Sequence, residues 1–583
     1  MKTRSSLFGV VLLTLATIFA ASCGNAPQPT ANNTTAQSAT RGGTLSYRMT
    51  APPSSFNYVM TDSEGTMLVA FSLLTSALTE FDHRTQKYVP GLAESWKVSE
   101  DGLMVTVKLR QGSKFSDGKD ISSDDVVFTL RSIYDEKANA PVWKDAMLVA
   151  DKPIEAKAID PLTVELTFPK RVAAVENYLV NLGVLPAHML KSELDAGKFS
   201  EAWKLDSDPS KIVSSGPFTV ESVAGGERIV LKRNPNYWKK DAKGEQLPYL
   251  DKLSLEITAD SNNAMARLSQ NTLDLVDRIR PADFATLSSQ TGDVKATDVG
   301  PGLGTDHIWF NLNTAKANGE KLDGTAKFKW FSDVRFRRAI STAIDRNTIA
   351  TTTLRGLASP LYNFVSPGNK TWSKTDLPKI EYSREKAAQL LAEAGFVTKG
   401  TPEAPELFDA ANNRVAFTLV VPVENEPRKL TAAVIQEDLA KLGIKMEVAP
   451  VETQNVSERW SKTFDYDAIL FGLSVSDTEP SSFGNFLNSN AAAHQWHPEQ
   501  KTPATEWEAR IDKLFAEQSA ESDPQKRAAL FGEIQQIVAE QLPVIPVVAR
   551  HIVTAAHIKI GNHSPSPIFP YSLWNADQLF IKQ

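Results

Sequence analysis

Chemistry in this chain would have to come from its histidines, its glycine clusters or its carboxylates. His494 and His497 stand three apart, a spacing at which a helix would place both imidazoles on one face as metal ligands. Gln495, Trp496 and Pro498 favour a loop there, and no metal is expected. His551, His557 and His563 follow without a carboxylate at ligand spacing and read as surface or structural residues. Gly300, Gly302 and Gly304 open no helix, so they read as a turn and not as a dinucleotide loop. There is no Gly-x-Ser-x-Gly elbow, no His-Glu-x-x-His and no phosphate-binding Gly-x-x-x-x-Gly-Lys-Ser/Thr. Carboxylates are plentiful, but a catalytic pair is a property of a fold and not of a count. The expectation is a protein without catalytic residues or cofactor, one that binds and does not convert.

The sole cysteine, Cys23, excludes an intrachain disulfide and a cysteine-based zinc or iron–sulfur centre. Its surroundings give it another use. Lys2 and Arg4 precede an uncharged run from Leu7 to Phe19. That run is shorter than the ~20 residues that span a bilayer, and it suits a secretory leader. The ending Ala20-Ala-Ser-Cys23 resembles the bacterial lipobox, with Ala20 where leucine is usual. The reading is a leader over 1–22, lipidation at Cys23, and a flexible tether over 23–40 rich in Asn, Pro, Gln, Ser and Thr. Loss of Lys2 and Arg4 with the leader takes the net charge from −6 to −8. The expected location is therefore periplasmic or cell-surface, held to the membrane by lipid.

The elements behind any site read as mixed α/β. Hydrophobic residues at 42% and charged residues at 23% are globular proportions. The length suggests roughly three or four domains. The near-balanced charge argues against a general nucleic-acid binder. Val105, Val107 and Leu109 alternate with polar residues as a strand after an Asp101-Gly102 turn, and Ile229–Lys232 resembles another. Phe336, Ala339, Ile340, Ala343 and Ile344 share a helical face over 333–346, with Asp333 as cap and Asp345-Arg346 as a pair at the helix end. Further helices are expected over Ser383–Gly395 and Leu430–Leu442, the latter stopped at Gly443 and followed by a strand through Ile444, Met446 and Val448. Thr398–Arg414 reads as a polar surface loop. Trp96 and Trp238 read as core residues.

A set of short motifs then occurs in one order. Gly91-Leu-Ala-Glu-Ser-Trp96, Val98-Ser-Glu-Asp-Gly102, Leu109-Arg-Gln-Gly112, Lys114-Phe115, Asp117-Gly118 and Asp124-Asp-Val-Val-Phe128 follow one another. Gly42-Gly-Thr-Leu45 precedes them. After them come Gly216-Pro-Phe218, Arg233-Asn-Pro-Asn-Tyr-Trp238, Asp333-Val-Arg335, Ala392-Glu-Ala-Gly395, Leu439-Ala-Lys-Leu-Gly-Ile444 and Leu542-Pro-Val-Ile-Pro546. From about residue 41 onward this resembles the family 5 extracellular solute-binding proteins, the oligopeptide-, dipeptide- and nickel-binding components of ABC importers. Asn271-Thr272 departs from the Gly-Glu that the family often carries.

The resemblance implies an α/β, two-lobed periplasmic-binding-protein fold of type II in its large three-sub-domain form. Lobe 1 would combine 41–79, 205–298 and 525–583 with an inserted sub-domain over 80–204. Lobe 2 would be 299–524, and chain crossings near 298 and 525 would form the hinge. The implied function is the lipoprotein component that captures a solute between closing lobes and delivers it to a membrane permease. A monomer is implied. The alternatives are a sensor without transport, or an importer component for an oligosaccharide, opine or metal chelate.

Peptide-binding members resemble Gly-Trp-x-x-Asp-x-x-Glu/Asp-Pro at the loop whose aspartate pairs with the peptide ammonium. Here Gly472 to Phe483 matches, with Glu479-Pro480 setting the register, Leu473 at the Trp position and Ser476 at the Asp position. A serine hydroxyl is a poor partner for a buried ammonium. Asp477 is adjacent but would point to the opposite face of an extended segment, unless a bulge turns it. Thr61, Asp62 and Ser63 match a ligand-contacting loop of lobe 1. Phe310, Asn311 and Asn313 would begin lobe 2 beside the hinge. Ser474 and Val475 would offer backbone groups, and Trp372 and Trp496 aromatic walls.

Overall fold

The computed structural model describes residues 39–582 apart from Asp62, Asn139, Ser474, Ser476 and Glu499. The leader, Cys23 and most of the tether lie outside the described residues. One eleven-stranded sheet runs through the molecule. Its order begins Lys445–Val451, Ala416–Pro422, Ala468–Leu473, Val294–Phe310 and Val544–His557. It continues through Leu275–Asp277, Thr44–Met49, Lys252–Ile257, Arg228–Arg233 and Phe218–Ala224, and Ala358–Pro360 adds to the side of Val544–His557. The parallel pairs, such as Thr44–Met49 on Lys252–Ile257, need crossover chains that cover the sheet with helices.

The two lobes meet at the two long strands. Val294–Phe310 and Val544–His557 lie antiparallel, with register shifts between Asp298 and Gly300 and between Pro301 and Thr305. Gly300, at φ 94°, and Gly302 sit in this irregularity, so the glycine cluster is a bulged hinge strand and not a turn. Alternation rules do not register a bulge, which is why the sequence reading missed it.

Each lobe has its own core. Leu45, Tyr58, Val107, Phe168 and Phe218 belong to one buried cluster, so the inserted sheet of Ala93–Val98, Met104–Leu109, Thr163–Thr167 and Glu155–Asp160 shares the core of lobe 1. Phe310, Phe336 and Phe417 centre one cluster of lobe 2. Phe364, Phe483, Phe515 and Phe531 centre another. Helix Pro524–Gln541 buries Phe531, Ile534 and Val538 in that last cluster, so the chain does not leave lobe 2 near 525. The return crossing is the strand Val544–His557.

Local signals mostly match their elements. Met104–Leu109 alternates exposed and buried as expected. Ser383 caps Arg384–Glu393, and Gly395 ends it at φ 90°. Glu426–Ala440 begins one turn earlier than its apolar stripe, because Asn425 caps it and Pro427 suits a first turn. Asn271 occupies φ 59°, which asparagine tolerates where the family often has glycine.

Other expectations fail for stated reasons. Thr398–Arg414 contains a hairpin, Val397–Thr401 on Ala404–Phe408, whose first strand is exposed on both faces and so carries no apolar alternation. The 333–346 helix stops at Ala343, and Asp345 caps a separate short turn by accepting the Thr348 N–H. Arg346 is buried and donates to the carbonyls of Ser341, Leu361 and Pro546, so it does not pair with Asp345. A guanidinium without a carboxylate needs that many acceptors to be tolerated inside.

Candidate functional site

Strand Ala468–Leu473 delivers the chain to the hinge. Leu473 lies opposite Thr305, just past the bulge, and its carbonyl accepts from the Thr305 hydroxyl at 3.5 Å. A second loop of lobe 2 braces the exit. Ser366 donates its hydroxyl to the Gly302 carbonyl, and the Asn369 amide donates to the Thr478 carbonyl at 2.8 Å. Between them Gly368 rests on the hinge backbone. A Cβ there would stand 2.3 Å from the Pro301 carbonyl oxygen and 2.9 Å from that of Gly302. Gly368→Ala is therefore expected to lift this loop, cost about 1–3 kcal/mol, and weaken solute capture. Denaturant unfolding combined with a ligand titration checks both, and an unchanged midpoint would sink the argument.

Lobe 1 reaches across in two places. The hairpin Thr79–Asp82 and Lys87–Pro90 carries Gln86 at φ 54° on its turn. Gln86 is buried. Its amide donates to the Gly368 carbonyl at 2.8 Å, and its oxygen accepts the Lys370 N–H at 2.9 Å. The second bridge is the Ala173 N–H on the Ser519 carbonyl at 2.8 Å, with the Arg171 guanidinium on the Ser522 hydroxyl beside it.

Between these bridges two tyrosines of lobe 1 meet a charged turn of lobe 2. Tyr88 donates to Asn177 Oδ1 at 3.2 Å. Burial, then the nearby carboxylates of Glu479 and Asp477, push its phenol well up. Burial and Glu479 act likewise on Tyr178. Glu479 pairs with Arg527 at 2.6 Å, the two side chains being 6% and 5% exposed. Arg527 also donates to Gln518 at 3.1 Å, and its guanidinium lies 5.0 Å from the Trp372 ring centre. Burial pushes Glu479 up, and Arg527 offsets part of that. Asp477 Oδ1 accepts from the Glu479 N–H and the Ser482 hydroxyl, both at 2.8 Å, and so starts the 3₁₀ turn Pro480–Phe483. Burial pushes its carboxyl up as well, and no lysine or arginine pairs with it among the described residues.

The residues named from sequence fare unequally. Val475, Asp477 and Trp372 come together on the lobe 2 side. Thr61 and Ser63 lie in a turn of lobe 1, where Ser63 accepts the Thr66 N–H. Asp62, Ser474 and Ser476 lie outside the described residues. Phe310, Asn311 and Asn313 are not beside the hinge. The bulge falls at 298–305, which leaves Phe310 ~17 Å further along an extended strand. Phe310 stacks on Phe331 at 4.5 Å, and Asn311 is spent on the carbonyls of Phe464 and Tyr466 and on Asn313. Trp496 is no exposed wall. It is fully buried, donates to Glu508 at 2.9 Å, and its carbonyl holds the Leu312 N–H at the same far end. His494 and His497 lie in a loop, with His494 Nδ1 3.1 Å from the His497 carbonyl.

Sequence reasoning missed Gln86, Tyr88, Tyr178 and Arg527, none of which carries a motif. It also missed a partner for His551. The ring lies 2.9 Å from Asp298 through Nδ1 and 2.9 Å from the Ser359 hydroxyl through Nε2, and so clasps three strands at the crossing. Asp298 is 253 residues away in the chain, beyond any spacing rule.

Comparison with known proteins agrees with this architecture. The family described as "Bacterial extracellular solute-binding proteins, family 5 Middle" matches residues 87–495. A "Probable ABC transporter-binding protein" of Deinococcus radiodurans is 30% identical over 505 residues, 82% of each chain. "Heme-binding protein A" of Haemophilus influenzae is 29% identical over 578 residues, 94% of each. The solved oligopeptide-binding protein AppA of Bacillus subtilis, in complex with a nonapeptide, superposes with a TM-score of 0.67 at 25% identity, covering 94% of this chain and 100% of that one. The chain belongs to the bacterial extracellular solute-binding proteins of family 5.

Proposed function

We propose that the protein is the solute-capturing component of an ABC importer, held outside the cytoplasmic membrane by a lipid on Cys23 and acting as a monomer, and that its solute is a peptide with a free amino terminus. The observation that carries the ligand reading is Asp477. Its carboxylate is buried, is fixed by the Glu479 N–H and the Ser482 hydroxyl, and has no cationic partner among the described residues. A buried carboxylate without a counter-charge is costly, and an incoming ammonium would relieve that cost. Asp477 thus stands in for the aspartate that Ser476 replaces. Tyr88 and Tyr178 add flat, low-entropy surface opposite it. The nonapeptide complex of the AppA relative supports the class of ligand.

The test is calorimetric titration of the mature protein with a short peptide and its N-acetyl form. Asp477→Asn is expected to weaken the free-amine peptide by about 10- to 100-fold, the worth of one charge-assisted hydrogen bond, and to leave the acetylated peptide unchanged. Equal losses for both peptides would count against Asp477 as the anchor.

A further inference from the structure

The loop that holds Thr478 through Asn369 turns Gly368 and Lys370 toward a pocket of about 380 Å³ at the hinge. This is within the size range of small-molecule sites. Its walls come from four stretches: the hairpin tip at His83 and Arg84, the first crossing strand at Val299 and Pro301, the lobe 2 loop, and the C-terminal segment around Pro567 and Trp574.

The lining is chemically one-sided. It contains two cations, Arg84 and Lys370, and no acidic residue. Neither cation pairs with a carboxylate among the described residues, and the Arg84 guanidinium is held 5.0 Å from the Trp574 ring centre. The nearest acid in sequence, Asp82, is turned back into the hairpin, where it accepts the N–H groups of Arg84 and Thr85 at 2.8 and 2.9 Å. The rest of the wall mixes four prolines, Val299 and the His83 and Trp574 rings with Ser564 and Ser566. Trp574 stacks on His83 with ring centres 5.2 Å apart and planes 22° apart, and prolines form much of the remaining wall. Burial pushes His83 down to about 4, so at neutral pH its ring adds surface and no charge. Trp574 and His83 are held in place, the first donating to the Ser564 carbonyl at 2.7 Å, the second 3.0 Å from the Ser566 hydroxyl.

We infer that this pocket is a second binding site that takes an organic carboxylate with a flat ring, the carboxylate on Lys370 and on Arg84, which Trp574 holds in place, and the ring against the prolines. Guanidinium and ammonium groups recognise carboxylates by charge-assisted bonds, which supply the affinity and exclude neutral isosteres. Because the walls come from both lobes and from the hinge strand, the occupant touches all of them only when the lobes are together. Its binding therefore favours the closed form. The inference does not depend on the identity of the cleft solute.

The carboxylate has two possible sources, a separate small molecule or the carboxyl end of a peptide lying in the cleft. The experiment is titration of the mature protein with benzoate and with benzamide, followed calorimetrically. Benzoate is expected to bind and benzamide to bind at least about tenfold more weakly. Arg84→Gln and Lys370→Gln, both at exposed positions and expected to fold normally, should each lower benzoate affinity severalfold, and the double variant should abolish it. A free-acid peptide that displaces benzoate, while its C-terminal amide does not, identifies the peptide end as the natural carboxylate. Failure of both peptides to compete identifies a separate small molecule. Equal binding of benzoate and benzamide, or wild-type benzoate affinity in the double variant, would overturn the assignment.

Discussion

Arg527→Ala is expected to lower the stability of the mature protein by about 3–5 kcal/mol at neutral pH, the cost of leaving one member of a buried ion pair alone. Glu479 is 6% exposed, and its charge is answered by Arg527 at 2.6 Å. With the guanidinium gone, Glu479 would face Asp477 and Glu176, both of which already push its pKa up. The carboxyl would then take up a proton and not stay charged. This fixes the sign of the pH dependence. An acid whose folded-state pKa is raised loses stability as pH rises through that value. The damage in the variant should therefore be largest at pH 8 and shrink toward pH 5. Trp372 would lose its cation as well, and Gln518 its donor. The paired variant Glu479→Gln with Arg527→Met should recover much of the loss, because no charge is left inside. Urea unfolding at pH 5 and pH 8 is the measurement. A loss below about 1 kcal/mol at pH 8 would show that the pair is effectively solvated.

Acidification is the second large effect. His307 and His494 are fully buried, and burial pushes each down to about 4. In the unfolded chain both titrate near 6.5. A histidine with a lowered folded-state pKa contributes stability that is complete above about 6.5 and is lost as pH falls toward 4, because the unfolded chain binds the proton first. Each contributes about 3 kcal/mol across that window. Asp277 works in the other direction. Burial holds it up at about 6, so the folded state takes its proton first and gains about 3 kcal/mol as pH falls from 6 to 4. His83 and His563, also pushed down to about 4 by burial, act in the same direction as His307 and His494, so the protein loses stability on acidification and His307→Leu is expected to lose about 3 kcal/mol less than the wild type between pH 7 and pH 4. Chemical denaturation at several pH values checks this. A His307→Leu variant with the wild-type pH slope would mean that His307 is charged or solvated in the folded protein.

The sequence by itself determined the elements whose causes are local. Asp333, Ser383 and Asn425 cap helices because a short polar side chain satisfies the N–H groups two or three residues on. Gly102, Gly395 and Gly443 turn the chain because their φ is positive. The ordered motifs determined the family, and the Glu479-Pro480 register placed the turn that carries Asp477. What only the tertiary structure decided is everything held by distant partners. Gln86 meets Gly368 across 282 residues, Arg527 meets Glu479 across 48, and His551 meets Asp298 across 253. Neither member of such a pair has a neighbour that forecasts the other. The bulge at 298–305 decided which residues stand at the hinge, moving Phe310 and Asn311 into the scaffold. The packing of helix Pro524–Gln541 decided where lobe 2 ends, because its apolar face fits either lobe on paper and only three-dimensional contact chooses. Local propensity reaches about four residues along the chain, whereas a cleft between two lobes is built from side chains that the chain brings together only by folding.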